Sequence, residues 1–450
     1  MLKSLQHPLS IFTAADQSPA AVALRIQNKD ISFAELARLA KNRIVSLQTE
    51  NKLPPLGRPF VLDGRNDLDT LITLYALLAL KTPVLLLHPK LTDHERSELL
   101  AQIRLIDQPL PEDTAAVLFT SGTTGQPKPA IITHKMLIAS ANASAQNIGW
   151  QDDDCWQMCM SVSRVGGLCI LTRCLMARKT VAVSALFDAH SFIEALITDR
   201  VTITSVVPTM LAKVFEAYPD WTPPEHLRVI LLGGASAPEA LLEKAHQQRV
   251  PIVATYGMTE TCSHVVMTPY AERYNLHVGS GEVIGFADVK TIDGEIVVRS
   301  EMTTPGYWGR DQEPTNRWFK TGDLGEFDHE GYLRIHARRQ DLILTGGENV
   351  YPLEVENTLA RAPFIKEALL IGEPNEQWGA IVCALIVAQP NTKPTLEDVK
   401  RFARNHLSAY KCPRKVAFVN KLPLNAADKL NRHPSVLSNY TLTTLHYKHH

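Results

Sequence analysis

The stretch Thr120-Ser-Gly-Thr-Thr-Gly-Gln-Pro-Lys128 combines small residues, neighbouring hydroxyls and a lysine directly after the apolar run Ala115 to Phe119. Gly122 and Gly125 admit left-handed backbone, so amide N–H groups can close around anionic oxygens, and Thr120, Ser121, Thr123 and Thr124 add hydroxyl donors. Lys128 adds a point charge. That chemistry is phosphate binding. A Walker A loop is a different pattern, because here the glycines stand three apart and Pro127 precedes the lysine. A plain Ser/Thr/Gly/Pro turn is the structural alternative.

Two further stretches could join such a cradle. Tyr256-Gly-Met-Thr-Glu-Thr261 follows an apolar run, Ile252 to Thr255, and so is expected at the carboxyl end of a strand, where open α/β sheets bind ligands. Tyr256 could cover a purine face and Glu260 could hold Mg²⁺, a hard cation that prefers carboxylate and phosphate oxygens. Alone, Glu260 also reads as an acid at a helix N-terminus. Leu231-Leu-Gly-Gly-Ala-Ser-Ala-Pro238 ends a second apolar run with two glycines, suited to a close ligand approach or to a tight strand-to-helix turn.

The elements that must carry these residues alternate. Ser32, with Glu35 three residues on, predicts a capped helix. Strand-like runs at 59–63, 84–88, 180–183, 203–207, 229–232 and 252–255 alternate with helical patterns at 71–80, 93–106, 192–197, 210–216 and 238–247, which implies parallel α/β layers. After about residue 275 the texture changes to short strands with Gly and charged turns, as in Asp293-Gly-Glu-Ile-Val-Val-Arg299. Helices at 352–359 and 396–406 with strands at 368–371 and 380–387 then form a smaller module. The expected fold is α/β: a large multi-layer N-terminal domain, 1–339, of doubly wound sheets with a small β-barrel-like subdomain, and a small α+β C-terminal domain, 340–450.

Composition narrows the partners. The 450 residues are 45% hydrophobic, and 46 basic residues nearly cancel 47 acidic ones, so neither nucleic acid nor an anionic membrane is implied. Seven cysteines in apolar contexts suit buried thiols and a cytoplasmic location better than a disulfide framework. Met1 to Gln17 lacks a continuous apolar core and a small-residue cleavage site, so no signal peptide is expected. The apolar stretch from Leu71 to Leu87 is broken by Lys81, Thr82 and Pro83, which predicts a helix followed by a strand rather than membrane insertion. Small-molecule partners are expected, with self-association left open.

The nine-residue string 120–128 resembles the phosphate-binding signature of the adenylate-forming superfamily, which includes acyl-CoA synthetases, adenylation domains and luciferase. Further motifs in the same order resemble it from about residue 30 to 435. The resemblance implies an ATP- and Mg²⁺-dependent ligase that joins a carboxylic acid to coenzyme A through an acyl-adenylate. It implies phosphate contacts from the 120–128 loop; adenine contacts from Gly233, Gly234 and Ala235; nucleotide contacts from Tyr256, Gly257 and Thr259; and Mg²⁺ ligation by Glu260 with Thr123. Asp323, in Trp318-Phe-Lys-Thr-Gly-Asp323, resembles the ribose-binding aspartate, and Arg338 the nucleotide-binding arginine before a hinge. Gly346, Gly347 and Glu348 resemble the loop lining the pantetheine channel, and Lys429 the catalytic lysine. The family's rotation about Gln340 would bring the last two groups to the reacting centre in turn. Pro129, Arg164, Ala337 and Asp428 depart from the family pattern.

For the acid, Met160-Ser-Val-Ser-Arg-Val-Gly-Gly167 occupies the substrate-reading stretch, with Arg164, Gly166 and Gly167 as candidate contacts. Arg173 lies in the apolar context Ile170, Leu171, Cys174 and Leu175 and needs a partner, because an unpaired buried charge is costly. A second substrate carboxylate would serve, as would an internal salt bridge or a place at a helix end. Together with Gly346-Gly-Glu-Asn-Val-Tyr-Pro352, this pattern looks most like the o-succinylbenzoate–CoA ligases of menaquinone biosynthesis. Ligases of other aryl or short-chain acids, carrier-protein loading and a nucleotide-binding pseudoenzyme are the alternatives.

Overall fold

The computed structural model describes residues 5–120, 127–185, 187–276, 279–314, 317–425 and 430–445. The chain divides into two compact units. The first comprises Met1–Gly234, Ala245–Val289 and Val297–Phe319, and the second Ala235–Lys244, Lys290–Ile296 and Lys320–His450.

The first unit is built on two sheets. In the nine-stranded one the order is Glu282–Val283, Ser263–Met267, Ile252–Met258, Val229–Leu232, Ile203–Val206, Cys155–Met158, Thr180–Val183, Val22–Ile26 and Lys29–Ser32. From Ile252–Met258 to Val22–Ile26 neighbours run parallel, and both flanks are closed by antiparallel hairpins. The order reverses between Cys155–Met158 and Ile203–Val206: one following strand lies beyond the first, and the next crosses to its other side. That is a topological switch point, and the stretch 160–167 begins two residues after one of its two strands. The strand cores explain the pattern, since Val229–Leu232 and Ile203–Val206 are buried throughout, as sheets covered on both faces require.

The second sheet has the order Phe60–Asp63, Val84–Leu87, Thr114–Thr120 and Lys128–Thr133. Its first three strands are parallel, and the last turns back antiparallel with Thr120 opposite Lys128. Leu85, Leu87, Val117 and Ile131 fill one face against Leu99 and Ile103 of the helix Asp93–Arg104. Each fully buried leucine or isoleucine contributes about 2 kcal/mol. The apolar stretch 71–87 is indeed a helix, Leu68–Leu80, and then a strand, Val84–Leu87. Among the described residues no helix is long and apolar enough to cross a membrane.

Capping follows the sequence in part. Ser32 accepts from the Glu35 amide at 3.1 Å at the start of the helix Phe33–Thr49. The Glu35 carboxylate lies 4.0 Å from Arg38. The full reciprocal box forms instead at Thr92 and Glu95, which opens the helix Asp93–Arg104.

The short-strand region becomes a four-stranded meander, Asp288–Ile292, Glu295–Arg299, Phe319–Phe327 and Leu333–Arg338. Asp293 and Gly294, at φ of 51° and 74°, make its first tight turn. The second unit also holds a six-stranded sheet around Gly379–Ala388, which pairs with Ile365–Asn375 antiparallel and with Lys415–Phe418 parallel. Val355 and Leu359 of the helix Pro352–Ala360 and Val399 and Ala403 of Leu396–His406 share one core cluster on this sheet. All seven cysteines are free and buried, as their apolar contexts predict.

Candidate active site

The ends of the stretch 120–128 lie on two paired strands. Thr120 ends one strand and Lys128 opens the next as register partners. Ser121, Gly122, Thr123, Thr124 and Gly125 lie outside the described residues, and so does Lys429. The Lys128 ammonium stands 5.5 Å from the centre of the Tyr307 ring. The Tyr307 hydroxyl donates to Glu260 Oε1 at 2.7 Å. Burial, with the Glu260 carboxylate beside it, pushes the Tyr307 phenol above its usual range, which keeps it a donor at neutral pH. Lys128 and Glu260, 132 positions apart by number, therefore converge on one tyrosine.

Tyr307 is held there by backbone. Ala130 and Tyr307 form an antiparallel bridge, the Trp308 amide donates to Pro129 O at 2.8 Å, and the Thr304 amide donates to Glu260 O at 2.8 Å. Thr304 Oγ1 reaches Ile131 O at 2.7 Å. The segment 303–308 thus ties the hairpin to the Glu260 turn. Sequence reasoning passed over Tyr307 and Thr304, although Pro305-Gly-Tyr-Trp-Gly309 is a turn-rich aromatic stretch that could have drawn attention.

Glu260 itself sits differently from expectation. The strand continues past Thr255 to Met258, so Tyr256, Gly257 and Met258 belong to it and do not follow it. Beyond Ala254 the parallel neighbour ends, and the strand instead pairs antiparallel with Ser263–Met267. Thr259–Thr261 is a single turn of 3₁₀ helix between the two. Thr261 Oγ1 accepts from Met258 N at 2.9 Å and donates to Ser263 O at 2.8 Å, closing that turn. Tyr256 and Glu260 are buried, and Thr259 is half-buried. Gly257 is required by packing, because a Cβ there would lie 1.8 Å from Ser263 O. At Gly233 a Cβ would meet Thr255 Oγ1 at 2.1 Å, so that glycine serves the neighbouring strand before any ligand. Gly234 and Ala235 follow it, exposed.

The stretch 160–167 is strapped by a buried asparagine. Asn66 Nδ2 donates to Met160 O at 2.9 Å and to Ser184 O at 3.0 Å, and its Oδ1 accepts from Val162 N at 3.1 Å. Arg164 is the N-cap residue of the helix Val165–Ala177, whose first turn contains Gly166 and Gly167. Arg173 lies on the same helix nine positions on, about 13 Å along its axis, so the two arginines are not neighbours.

Arg173 is 3% exposed. Nη2 donates to Ser140 Oγ at 3.0 Å, the guanidinium faces the Trp156 ring at 5.8 Å, and Nε has no hydrogen-bond partner among the described residues. Ser140 Oγ in turn donates to Cys262 O at 2.8 Å, directly after the Glu260 turn. Of the structural alternatives, a helix end is ruled out by a mid-helix position, and no ion pair forms among the described residues. Burial lowers the Arg173 pKa, opposed by Cys169 and Cys262. His264 lies in the same field: burial and then Arg173 depress its pKa well below 6.5, and its Nε2 also lacks a hydrogen-bond partner among the described residues.

In the second unit Asp323 is buried and lies opposite Arg338, whose Nε stands 3.3 Å from Asp323 Oδ1. Thr321 Oγ1 accepts from the Asp323 amide at 3.1 Å and donates to Ile296 O at 2.8 Å, which fixes the part of the strand that presents the carboxylate. Gly346 and Gly347, at φ of 59° and 85°, form the two-residue turn between Ile343–Thr345 and Glu348–Val350, with Glu348 exposed. The Gly346 amide donates to Trp378 O at 2.9 Å, and Arg414 stacks on the Trp378 ring at 4.5 Å. Neither Trp378 nor Arg414 was expected from sequence.

Residues 104–308 match the AMP-binding enzyme family and residues 354–429 the AMP-binding enzyme C-terminal domain. The 2-succinylbenzoate–CoA ligase of Bacillus mycoides is 39% identical over 71% of this chain and 69% of that protein. The chain belongs to the AMP-binding enzyme family. Its class within that family is the AMP-forming acid–thiol ligases. Among solved structures, the o-succinylbenzoate CoA synthetase of Bacillus subtilis in complex with its acyl-adenylate intermediate matches this AMP-binding enzyme with a TM-score of 0.84 and 29% identity, covering 95% of this chain and 97% of that one. The same Bacillus subtilis enzyme with ATP and a magnesium ion gives a TM-score of 0.82 at 29% identity, over 94% and 98% of the two chains.

Proposed function

We propose that this AMP-binding enzyme is an o-succinylbenzoate–CoA ligase acting in the cytoplasm, with ATP, Mg²⁺ and coenzyme A. The observation that carries the nucleotide chemistry is the convergence of Lys128 and Glu260 on Tyr307. A phosphate chain needs a cation beside the cradle and an oxygen ligand for its metal, and both are held there before anything binds. Glu260 fits a hard divalent cation: it is a buried carboxylate aimed by a phenol. When bound, with Thr123 as a second oxygen ligand, the cation would draw charge from the phosphate oxygens.

In the proposed first step a substrate carboxylate oxygen attacks the α-phosphorus of ATP, a P–O bond forms, and pyrophosphate leaves. The loop 120–128 and Lys128 bind the phosphates, Gly233, Gly234, Ala235, Tyr256, Gly257 and Thr259 take the base side, and Asp323 with Arg338 takes the ribose. Lys429 holds the attacking and accepting oxygens together. In the second step the CoA thiol loses its proton and attacks the acyl carbon, and AMP leaves; Gly346, Gly347 and Glu348 line the path of its arm. The turn at 338–342, where the Asp341 and Leu342 amides donate to Arg338 O at 2.9 and 3.1 Å, is the proposed hinge between domains 1–339 and 340–450.

The acid reading rests on Arg173. A guanidinium buried in a helix with, among the described residues, one hydroxyl partner and no carboxylate suits a ligand that brings its own anion. o-Succinylbenzoate has two carboxylates, one to activate and one to be held. Arg164, Gly166 and Gly167 are assigned to the mouth of the same helix. The test is pyrophosphate release with ATP, Mg²⁺ and CoA across o-succinylbenzoate, benzoate, a cinnamate, a medium-chain fatty acid and acetate. Preference for o-succinylbenzoate, with its thioester detected, is expected. Preference for another acid overturns the substrate, and release without any thioester overturns the CoA step.

A further inference from the structure

Glu295 opens the strand Glu295–Arg299 and belongs to the second unit, as do Asp323 and Arg338. Its carboxylate reaches a sequence neighbour of each member of that pair. Oε1 accepts from the Gly322 amide at 3.1 Å, and Oε2 accepts from Arg339 Nη2 at 3.2 Å. Gly322 precedes Asp323, and Arg339 follows Arg338. The Arg339 amide in turn donates to Gly322 O at 2.8 Å. Three residues thus close a ring of hydrogen bonds, in which Glu295 holds the Gly322 N–H and Arg339 holds the Gly322 carbonyl. The Glu295 side chain is 12% exposed and that of Arg339 is 53% exposed. An ion pair open to water on one side adds little by itself, whereas the shielded carboxylate gives the Gly322 amide a charge-assisted bond.

Gly322 depends on those bonds for its place. Its φ is 76°, in the left-handed region that glycine enters and leaves freely. No heavy atom stands within 4 Å of where a Cβ would be, so side-chain packing does not confine it. The residue before it is held by the same strand, because Thr321 Oγ1 donates to the carbonyl of Ile296, next to Glu295, at 2.8 Å. Beyond this clamp the Asp323 carboxylate stands 3.3 Å from Arg338 Nε.

We infer that Glu295 is a positioning residue for the nucleotide: through Gly322 it sets the Asp323 carboxylate where that group accepts the ribose hydroxyls, and it thereby governs the preference for a ribose over a deoxyribose nucleotide. This rests on the reading of Asp323 as the ribose carboxylate. An ionised carboxylate is an acceptor with two oxygens and can take neighbouring hydroxyls together. Such bonds weaken steeply with distance and angle, so a displaced Asp323 loses them. The contact to the 2′-hydroxyl exists for ATP and not for 2′-deoxy-ATP. A misplaced carboxylate therefore weakens ATP selectively, whereas a loosened fold weakens both nucleotides alike.

Calorimetric titration of the full chain with ATP and with 2′-deoxy-ATP, each with Mg²⁺, reads this difference without depending on the acid. The wild type is expected to bind ATP about tenfold more tightly than 2′-deoxy-ATP, the scale of one hydrogen bond to a charged group. Glu295→Ala is expected to raise Kd for ATP by about tenfold and Kd for 2′-deoxy-ATP by less than about threefold. Glu295→Gln keeps an oxygen for the Gly322 amide and loses the charge facing Arg339, so its preference should lie between those of wild type and Glu295→Ala. It carries the test if circular dichroism shows that Glu295→Ala does not fold. Equal weakening of both nucleotides in the Glu295 variants, or none in either, overturns the inference. Asp323→Asn is titrated beside them. No preference in the wild type, or an unchanged preference in Asp323→Asn, overturns the reading of Asp323 and this inference with it. Loss of preference in Asp323→Asn with full preference in the Glu295 variants overturns the inference alone.

Discussion

The Tyr307 hydroxyl donates to Glu260 Oε1 across 2.7 Å, in a region where neither residue is a sequence neighbour of the other. A hydrogen bond to a charged group contributes about 1.5–3 kcal/mol, and part of that goes to aiming the carboxylate. Tyr307→Phe is expected to raise the Mg²⁺ concentration for half-maximal pyrophosphate release by about fivefold, a loss of about 1 kcal/mol. An unchanged Mg²⁺ dependence would separate Glu260 from the metal.

Arg173 offers a sharper test of the acid. Arg173→Ala is expected to lower kcat/KM for o-succinylbenzoate by about 50-fold more than for benzoate, the scale of one buried charge-assisted contact. Parallel loss for both acids, with intact folding by circular dichroism, would return Arg173 to a purely structural role.

Acid sensitivity follows from His264. Its folded-state pKa is depressed by burial and by Arg173, so below pH 6.5 the unfolded chain binds a proton that the folded chain refuses. Stability is therefore full above about pH 6.5 and falls as the pH drops from there toward the folded pKa. The slope for one proton is about 1.4 kcal/mol per pH unit. His7 and His134 are depressed in the same direction, chiefly by burial, and add to it. Unfolding midpoints in urea between pH 7.5 and 5.5 should drop, and His264→Gln should flatten the curve; an identical slope in the variant would assign the effect to the other histidines.

Gly257→Ala tests the hairpin that carries Glu260. The added methyl would stand 1.8 Å from Ser263 O, a backbone atom that moves only with its strand. A loss of about 3 kcal/mol in stability is expected, together with weakened Mg²⁺ dependence, since the Glu260 turn follows the distorted strand. A variant as stable as the wild type would show that the hairpin opens easily.

Local signals were legible where chemistry and backbone demand coincide within a few residues. The 120–128 string, the Glu260 motif, the Asp293-Gly294 turn and the strands at 180–183 and 229–232 all rest on short-range rules of periodicity, turn chemistry and charge, and each was visible before any fold was known. The Met258 boundary was not, because the antiparallel return of Ser263–Met267 extends a strand whose parallel neighbour has already ended. Likewise, nothing in the spacing of Lys128, Glu260 and Tyr307, of Asp323 and Arg338, or of Glu295 and Arg339 announces that they meet. The sequence by itself determined which residue types and turns were present and what chemistry they could support. Only the tertiary structure decided which of them share a site, because strand register and helix packing are set by the burial of whole faces and not by the polar residues those faces happen to bring together.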